Sequence, residues 1–421
     1  MWTMVAPRVL EHVVPAACLA LVVGACSGDS SGAASAGWTT SIDTVDGVPR
    51  VVNAPPAQGA GPGYEVVEDL RIGSFDNDDA TTFGELRGLA VTDDGLVAVL
   101  DAQAHEIRVF DRSGVHVATH GREGEGPGEY VGPTGVLLRP DGRLWVPDPT
   151  SARMSVVDVR EGFIESAPHG LMRRGFVYGG AVMADGRLVK PSLTLGPPRR
   201  DMLRVFDPDM AQIDTIPQPD PPELDPRDPP VSFFWEAPGG MPQGYIGIPF
   251  AARSTRIYHP SGVVWSTEML AQQHRLTAET WTGETLRVVE TRRPPVPIPP
   301  SVRDTAIDRI RETLAEVRGD IGGQSWDKVP QRYPFVERMT TARNGDLWVE
   351  TGTAQNSLWD VFDTDGRHLR AVRIDWRIPA WIPPVIVGDE VWAIETDDLD
   401  VPYIVRGRIT EVGSTPDDGG D

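Results

Sequence analysis

Residues Gly121–Asp158 read GREGEGPGEYVGPTGVLLRPDGRLWVPDPTSARMSVVD. A glycine-rich loop comes first, then the apolar run Gly135–Leu138. Asp141-Gly142 follows, a dipeptide that favours a tight turn between strands. Leu144–Val146 and Met154–Val157 supply a second and a third apolar run. The stretch therefore specifies strand, turn, strand and strand within one short unit.

Diverged copies of this unit run along most of the chain. Anchored on the glycine of the first turn, they are VTDDGLVAVLD at Gly95, RPDGRLWVPD at Gly142, MADGRLVKPS at Gly186, HPSGVVWSTE at Gly262 and RNGDLWVET at Gly345. A sixth copy, VGDEVWAIE, carries Asp389 at the turn position. Trp145, Trp265, Trp348 and Trp392 each fall three residues after the anchor. Later in each unit, Ile107–Asp111 is echoed by Leu203–Asp207 and Trp359–Asp363. Successive anchors are 47, 44, 76, 83 and 44 residues apart. A repeat of about 45 residues with four short strands is the period of a β-propeller blade. The expected fold is thus all-β, a six-bladed β-propeller spanning residues 64–410. The last copy offers only three strands, so Tyr64–Ile72 is expected to supply its fourth and close the ring.

The two long intervals require insertions, expected at residues 217–230 and 291–334. The first alternates proline with acids and cannot join a sheet, because proline lacks the N–H donor. The second turns helical at Ser301, where Ser301 and Asp304 form a capping-box pattern. Val302, Ala306, Ile310, Leu314 and Val317 make one apolar stripe, and Gly319 is the expected stop. The result is a short helical insertion between blades four and five, expected to lay its stripe on the propeller.

Residues 1–25 read as a signal peptide, with Arg8 ahead of the apolar run Val13–Ala25. Residues 26–63 read as a tether containing a small hairpin about Asp46-Gly47, and residues 411–421 as a disordered acidic tail. The other cysteine, Cys18, lies inside the leader, so the mature chain keeps Cys26 alone. That excludes a disulfide framework and a cysteine-based zinc site within one chain. The chain holds 61 acidic against 39 basic residues, a formal charge of −22. Such a balance opposes nucleic-acid binding, which depends on Lys and Arg neutralising phosphates.

Two resemblances add to this reading. Val23-Gly24-Ala25-Cys26 resembles the bacterial lipobox, which implies lipid modification of Cys26 and a membrane partner held through that lipid. The stretch around Gly124, Gly126, Pro127, Gly128 and Glu129, continued by Pro133, Gly135, Asp141, Gly142, Val146 and Asp148, resembles an NHL repeat, with Tyr130 in place of the usual phenylalanine. The whole is similar to a group of bacterial lipoproteins built as six-bladed β-propellers. This resemblance implies an NHL-like fold and export to the cell envelope, in the periplasm or at the cell surface. It implies no activity, because propellers of one architecture carry many functions.

Candidate site residues follow from the repeat. Eight residues before each anchor lie Arg87, Thr134, Tyr178, Ser254, Glu337 and Trp381, a row expected on the rim of the central channel. Six residues after each anchor lie Asp101, Asp148, Ser192, Glu268, Thr351 and Glu395. The four acids of this second row could ring a cation such as Ca²⁺, or could each cap backbone N–H groups of their own loop. No nucleophile elbow, phosphate loop or recurring histidine set is present, so no catalytic residue and no obligatory cofactor is assigned. The expected function is a binding or scaffold module for a peptide, glycan or partner protein. The alternative is a metal-dependent hydrolase or lyase of the lactonase-like propeller type.

Overall fold

The computed structural model describes residues 37–56, 61–74, 80–168, 180–193, 201–219, 225–241, 243–253, 255–267, 274–352 and 357–413. Four-stranded antiparallel meanders follow one another along this chain. Sheet I holds Leu86–Val91, Val97–Asp101, Glu106–Phe110 and His116–His120. Sheet II holds Leu137–Leu138, Leu144–Asp148, Arg153–Asp158 and Gly162–Pro168. Sheet III holds Ala181–Val182, Leu188–Leu193, Asp201–Phe206 and Gln212–Pro217. Sheet IV holds Arg256–Tyr258, Val263–Ser266, His274–Thr280 and Thr285–Thr291. Sheet V holds Arg338–Thr341, Leu347–Thr351, Ser357–Phe362 and His368–Ile374. Sheet VI holds Val385–Val387, Glu390–Thr396 and Pro402–Glu411, and Tyr64–Ile72 adds its outer strand.

The anchors sit where the first turn needs a left-handed residue, with φ from 81° at Gly142 to 95° at Gly345. Glycine takes that conformation without a Cβ penalty. In sheet VI the left-handed residue is Gly388 (φ 63°), one position before the expected Asp389, because the turn there is shortened to two residues.

The recurring tryptophan has a packing reason. The residue three positions after each anchor faces the following sheet. Ala98 lies in the cluster between sheets I and II, Trp145 between II and III, and Val189 between III and IV. Trp265 lies between IV and V, Trp348 between V and VI, and Trp392 between VI and I. Residues of the opposite strand face, such as Val99, Val146 and Val349, pack on the preceding sheet. Each buried indole removes enough apolar area to favour folding by roughly 4–6 kcal/mol, as an upper bound. The apolar contacts thus run from sheet to sheet and return from VI to I, which is a β-propeller arrangement.

The N-terminal segment binds the propeller at two places. Tyr64–Ile72 pairs antiparallel with Pro402–Glu411, from Ile72 opposite Ile404 to Tyr64 opposite Glu411. The hairpin Thr39–Val45 and Val48–Ala54 turns at Asp46 (φ 51°) and Gly47 (φ 82°) as its sequence requires. Expected within a tether, it instead adds to sheet IV, with Arg50–Asn53 parallel to Val288–Thr291. The reason is burial: Val51 joins the cluster between sheets IV and V, and Asn53 is fully enclosed. Asn53 donates to the Gly366 carbonyl at 2.9 Å and accepts from the His368 amide at 3.0 Å. Ahead of the hairpin, Trp38 stacks on His368 with ring centroids 3.6 Å apart. Arg293 lies 4.9 Å from the Trp38 ring and grips both oxygens of Asp360, whose Oδ1 also meets His368 Nε2 at 3.0 Å. Burial opposes the Asp360 charge, but the His368 hydrogen bond and the Arg293 guanidinium outweigh it and hold the carboxyl below its usual range.

The insertions meet each other. Helix α1 spans Pro300–Glu316 with Pro299 at its N-cap, and no side chain caps it, so the expected Ser301–Asp304 box does not form. Proline before the first turn already fixes the entry. The buried stripe is Ile307, Ile310 and Leu314, while Val302 and Val317 are exposed. The stripe is rotated because its partner is not a blade. It packs on Phe233 and Ile246 of the hairpin Ser232–Glu236 and Gln243–Gly247, together with Ile248, Ile321 and Val329. The left-handed stop is Arg318 (φ 52°), not Gly319. Gly319 donates to the Leu314 carbonyl at 2.8 Å and Arg318 to Ala315 at 3.1 Å, a Schellman pattern. Glycine is needed at 319 for a different reason, since a Cβ there would lie 2.7 Å from the Trp235 ring.

His274 generates a pH dependence. It is buried between Phe335 and Phe362, and among the described residues neither ring nitrogen has a hydrogen-bond partner. Burial pushes its pKa down from 6.5 to about 4. Below about pH 6.5 the unfolded chain takes up a proton there that the folded chain refuses, so this contribution to stability is full above pH 6.5 and is lost progressively toward pH 4. Thermal denaturation of the wild-type chain between pH 7 and 4.5 should therefore show a falling Tm, with a shallower fall in His274→Leu. Equal slopes for the two proteins would remove His274 as the cause.

Candidate functional site

The rim row divides. Glu337 and Trp381 line a cavity of about 830 Å³ at the mouth of the channel, together with Gly180, Tyr258, Arg338 and Glu350. Arg87 and Thr134 do not line it. Arg87 is held by Glu85 at 2.9 Å, and Thr134 donates its amide to the Pro147 carbonyl at 3.0 Å. Tyr178, Ser254, Glu268 and Cys26 lie outside the described residues.

Arg338, Glu350 and Arg256, each held in an ion pair, supply polar groups to the walls of the cavity. Arg338 donates through Nε to Glu350 Oε2 at 2.7 Å and through its terminal nitrogen to the Pro379 carbonyl at 3.1 Å. Its guanidinium lies 5.3 Å from the ring of Trp359, a fully buried residue whose indole N–H donates to Ser357 Oγ at 2.7 Å. Ser357 in turn donates to Glu350. On the facing wall, Arg256 donates to Glu279 at 2.9 Å and to Gln218 at 3.0 Å. Burial pushes the Tyr258 hydroxyl up. Arg256 and Arg338 come from the first strands of sheets IV and V, Glu350 from the second strand of V and Glu279 from the third strand of IV, where strand pairing fixes the backbone.

Glu337 and Trp381 are the uncommitted groups. The Glu337 carboxyl faces the channel and makes no hydrogen bond or ion pair among the described residues; its amide pairs with the Glu350 carbonyl at 2.9 Å. Its side chain is exposed to solvent on the cavity side, with protein packed around its carboxyl. That desolvation, with the neighbouring Glu350 carboxylate, raises its pKa above the usual range, against the pull of Arg338 and Arg253. Trp381 is 55% exposed, an unusual position for an indole. The sequence pointed to both residues through their register. It did not point to Arg338, Glu350, Arg256 or Tyr258, which break the repeat pattern at positions where other blades carry unrelated residues.

The second row serves its own loops. Asp101 accepts from the backbone N–H groups of Gly84, Glu85, Gln103 and Ala104, at 2.9 to 3.2 Å. Asp148 accepts from Val131 at 2.7 Å, Gly132 at 3.2 Å and Ser151 at 3.0 Å. Burial would raise the Asp148 pKa, but these donors prevail and hold it below the usual range. Glu395 is bonded to Arg71. Among the described residues, no group of three or more histidine, cysteine or acidic side chains is placed to hold a metal ion.

No family model matches the chain. No curated protein matches it either. Among solved structures, it is similar to a Bacteroides fragilis protein described as exported, at 14% identity, covering 83% of this chain and 96% of that one, with a TM-score of 0.49. It is similar to virginiamycin B lyase from Staphylococcus aureus at 11% identity, covering 82% and 100%, with a TM-score of 0.44. A third is the PQQ-bound aldose sugar dehydrogenase of Streptomyces coelicolor, at 13% identity, 83% and 100% coverage and a TM-score of 0.41. At these values no residue role passes from them to this chain, and the propeller arrangement rests on its own sheet order.

Asp148→Ala would leave three enclosed backbone donors without an acceptor. The expected loss is about 2–4 kcal/mol of stability, read as a lower midpoint in urea denaturation. Calcium should leave the midpoint of the wild-type chain unchanged. A calcium-dependent rise that vanishes in the variant would reassign the carboxylate to a metal.

Proposed function

We propose that this chain is an exported, lipid-anchored, six-bladed NHL-like β-propeller that acts as a binding module, with the channel-mouth cavity as its ligand site. The observation that carries the reading is the contrast inside that cavity. Its paired guanidinium and carboxylate groups are fixed by second partners, whereas the Glu337 carboxyl and the Trp381 ring are free to meet a ligand. Concave sites with rigid walls and a few convergent polar groups are where ligands bind. Six inter-sheet clusters that return from the last sheet to the first support the blade count.

The ligand class favoured by these groups is a glycan. An exposed indole face suits the C–H face of a sugar ring, and carboxyl and guanidinium groups suit its hydroxyls. The hydrolase or lyase reading finds less support, because Asp101 and Asp148 have their oxygens engaged by backbone donors.

A glycan and peptide array probed with the mature protein should return saccharide ligands. Trp381→Ala should weaken the best of them by about tenfold or more, the loss of roughly 1.4 kcal/mol. Undiminished binding by that variant would place the ligand elsewhere. Export and anchoring are tested separately. Trp38 brings the described chain to within twelve residues of Cys26, and Cys26→Ser should move the protein from the membrane to the soluble fraction. A variant that stays with washed membranes would overturn the lipid anchor.

A further inference from the structure

Lys190 and Arg204 face each other across the second and third strands of sheet III. Leu188 and Phe206, the next pair on the same strand face, lie in the cluster between sheets II and III. Side chains alternate along a strand, so Lys190 and Arg204 point into that interface too. Lys190 stands four residues after its anchor, where Val99, Val146 and Val349 pack on the preceding sheet in other blades. It is only 7% exposed. Among the described residues its ammonium has no acceptor and no counter-ion. Arg204 likewise has no ion pair, and its Nε is buried without a partner. From sheet II, Trp145 enters the same interface, fully buried, and its indole N–H also lacks an acceptor.

Three donors from two facing sheets thus enter one interface, and among the described residues none of the Lys190 ammonium, the Arg204 Nε and the Trp145 N–H has an acceptor. Like charges directly opposite in a sheet repel, and a cation drawn largely out of water without a counter-ion is costly. The sequence on either side offers no relief, since residues 169–179 and 194–200 hold four arginines and no acid. Lys328, the other lysine, by contrast donates to Asp228 at 2.6 Å and to the Pro229 carbonyl at 2.9 Å. An incoming negative charge would resolve the unpaired set at sheet III.

We propose that Lys190 and Arg204 form an anion-binding site at the interface of sheets II and III, which takes the carboxylate or phosphate group of a ligand. A compact ammonium beside a planar guanidinium suits an oxyanion, and the Trp145 N–H supplies a further donor. The channel cavity lies next to the site. Gly180 lines that cavity, and a Cβ on it would lie 3.1 Å from the Lys190 Cα. The proposal does not depend on what fills the cavity. Burial pushes the Lys190 amine below its usual range, and a bound anion would raise it again.

Two lysines in the whole chain make the test direct. In protein labelled with ¹⁵N-lysine, titration with inorganic phosphate and, separately, acetate at constant ionic strength should shift the Lys190 side-chain resonance saturably and leave Lys328 in place. A response to acetate alone assigns the site to carboxylates and a response to phosphate alone to phosphoryl groups; either supports it. Lys190→Met should abolish the anion-dependent rise in Tm and should also raise the Tm of the anion-free protein, because it removes a repelling charge and keeps the bulk. Arg204→Met should reproduce both effects if the first variant folds poorly. An unmoved Lys190 resonance with both anions, or a lowered anion-free Tm in both variants, would overturn the site.

Discussion

Every sheet in this protein depends on its neighbours for its core. A single four-stranded meander has two apolar faces and cannot cover either alone, so each sheet takes its stability from the interfaces with its neighbours. The weak point of such a ring is the place where the chain ends meet. Here Tyr64–Ile72 crosses more than three hundred residues of sequence to pair with Pro402–Glu411. Ile72 then joins Trp392 and Ile404 against sheet I. This one antiparallel pairing covers an open sheet edge and brings the last interface to the first.

The same segment explains why the N-terminal hairpin is ordered. Once Tyr64 is fixed on sheet VI, and on sheet V through its parallel contact with Val372, the preceding residues cannot stray far. The hairpin then covers the edge of sheet IV, where Asn53, His368, Asp360, Arg293 and Trp38 form one connected polar and aromatic set.

The two insertions show the opposite economy. Neither the hairpin Ser232–Glu236 and Gln243–Gly247 nor helix α1 has enough apolar surface to stand alone, yet together they build a small separate core. They leave blades III, IV and V with their four strands intact. The channel mouth is therefore framed by ordinary strand ends, and its chemistry comes from side chains that the repeat does not prescribe.

Period and punctuation were legible from sequence: the glycine turns, the tryptophans three residues on, the strand closing the ring, the hairpin at Asp46-Gly47 and the existence of a helix near residue 301. Each is a local property, fixed by backbone conformation or by alternation along one strand. The hairpin at Phe233–Trp235 was not legible, because a proline-rich lead-in and a loose Gly239-Gly240 turn hide its alternation. Asp101 and Asp148 cap their own loops, one of the two roles that their register allowed. The rotation of the helix stripe and the docking of the N-terminal hairpin were settled by partners distant in sequence. So was the split of the rim row into Glu337 and Trp381 on the cavity and Arg87 and Thr134 off it. Sequence determined which segments become blades, since a strand's two faces are written in its own residues. Only tertiary structure decided which charges are paired and which are left free, because a side chain's electrostatic partner is set by where the ring brings other blades, not by its neighbours along the chain.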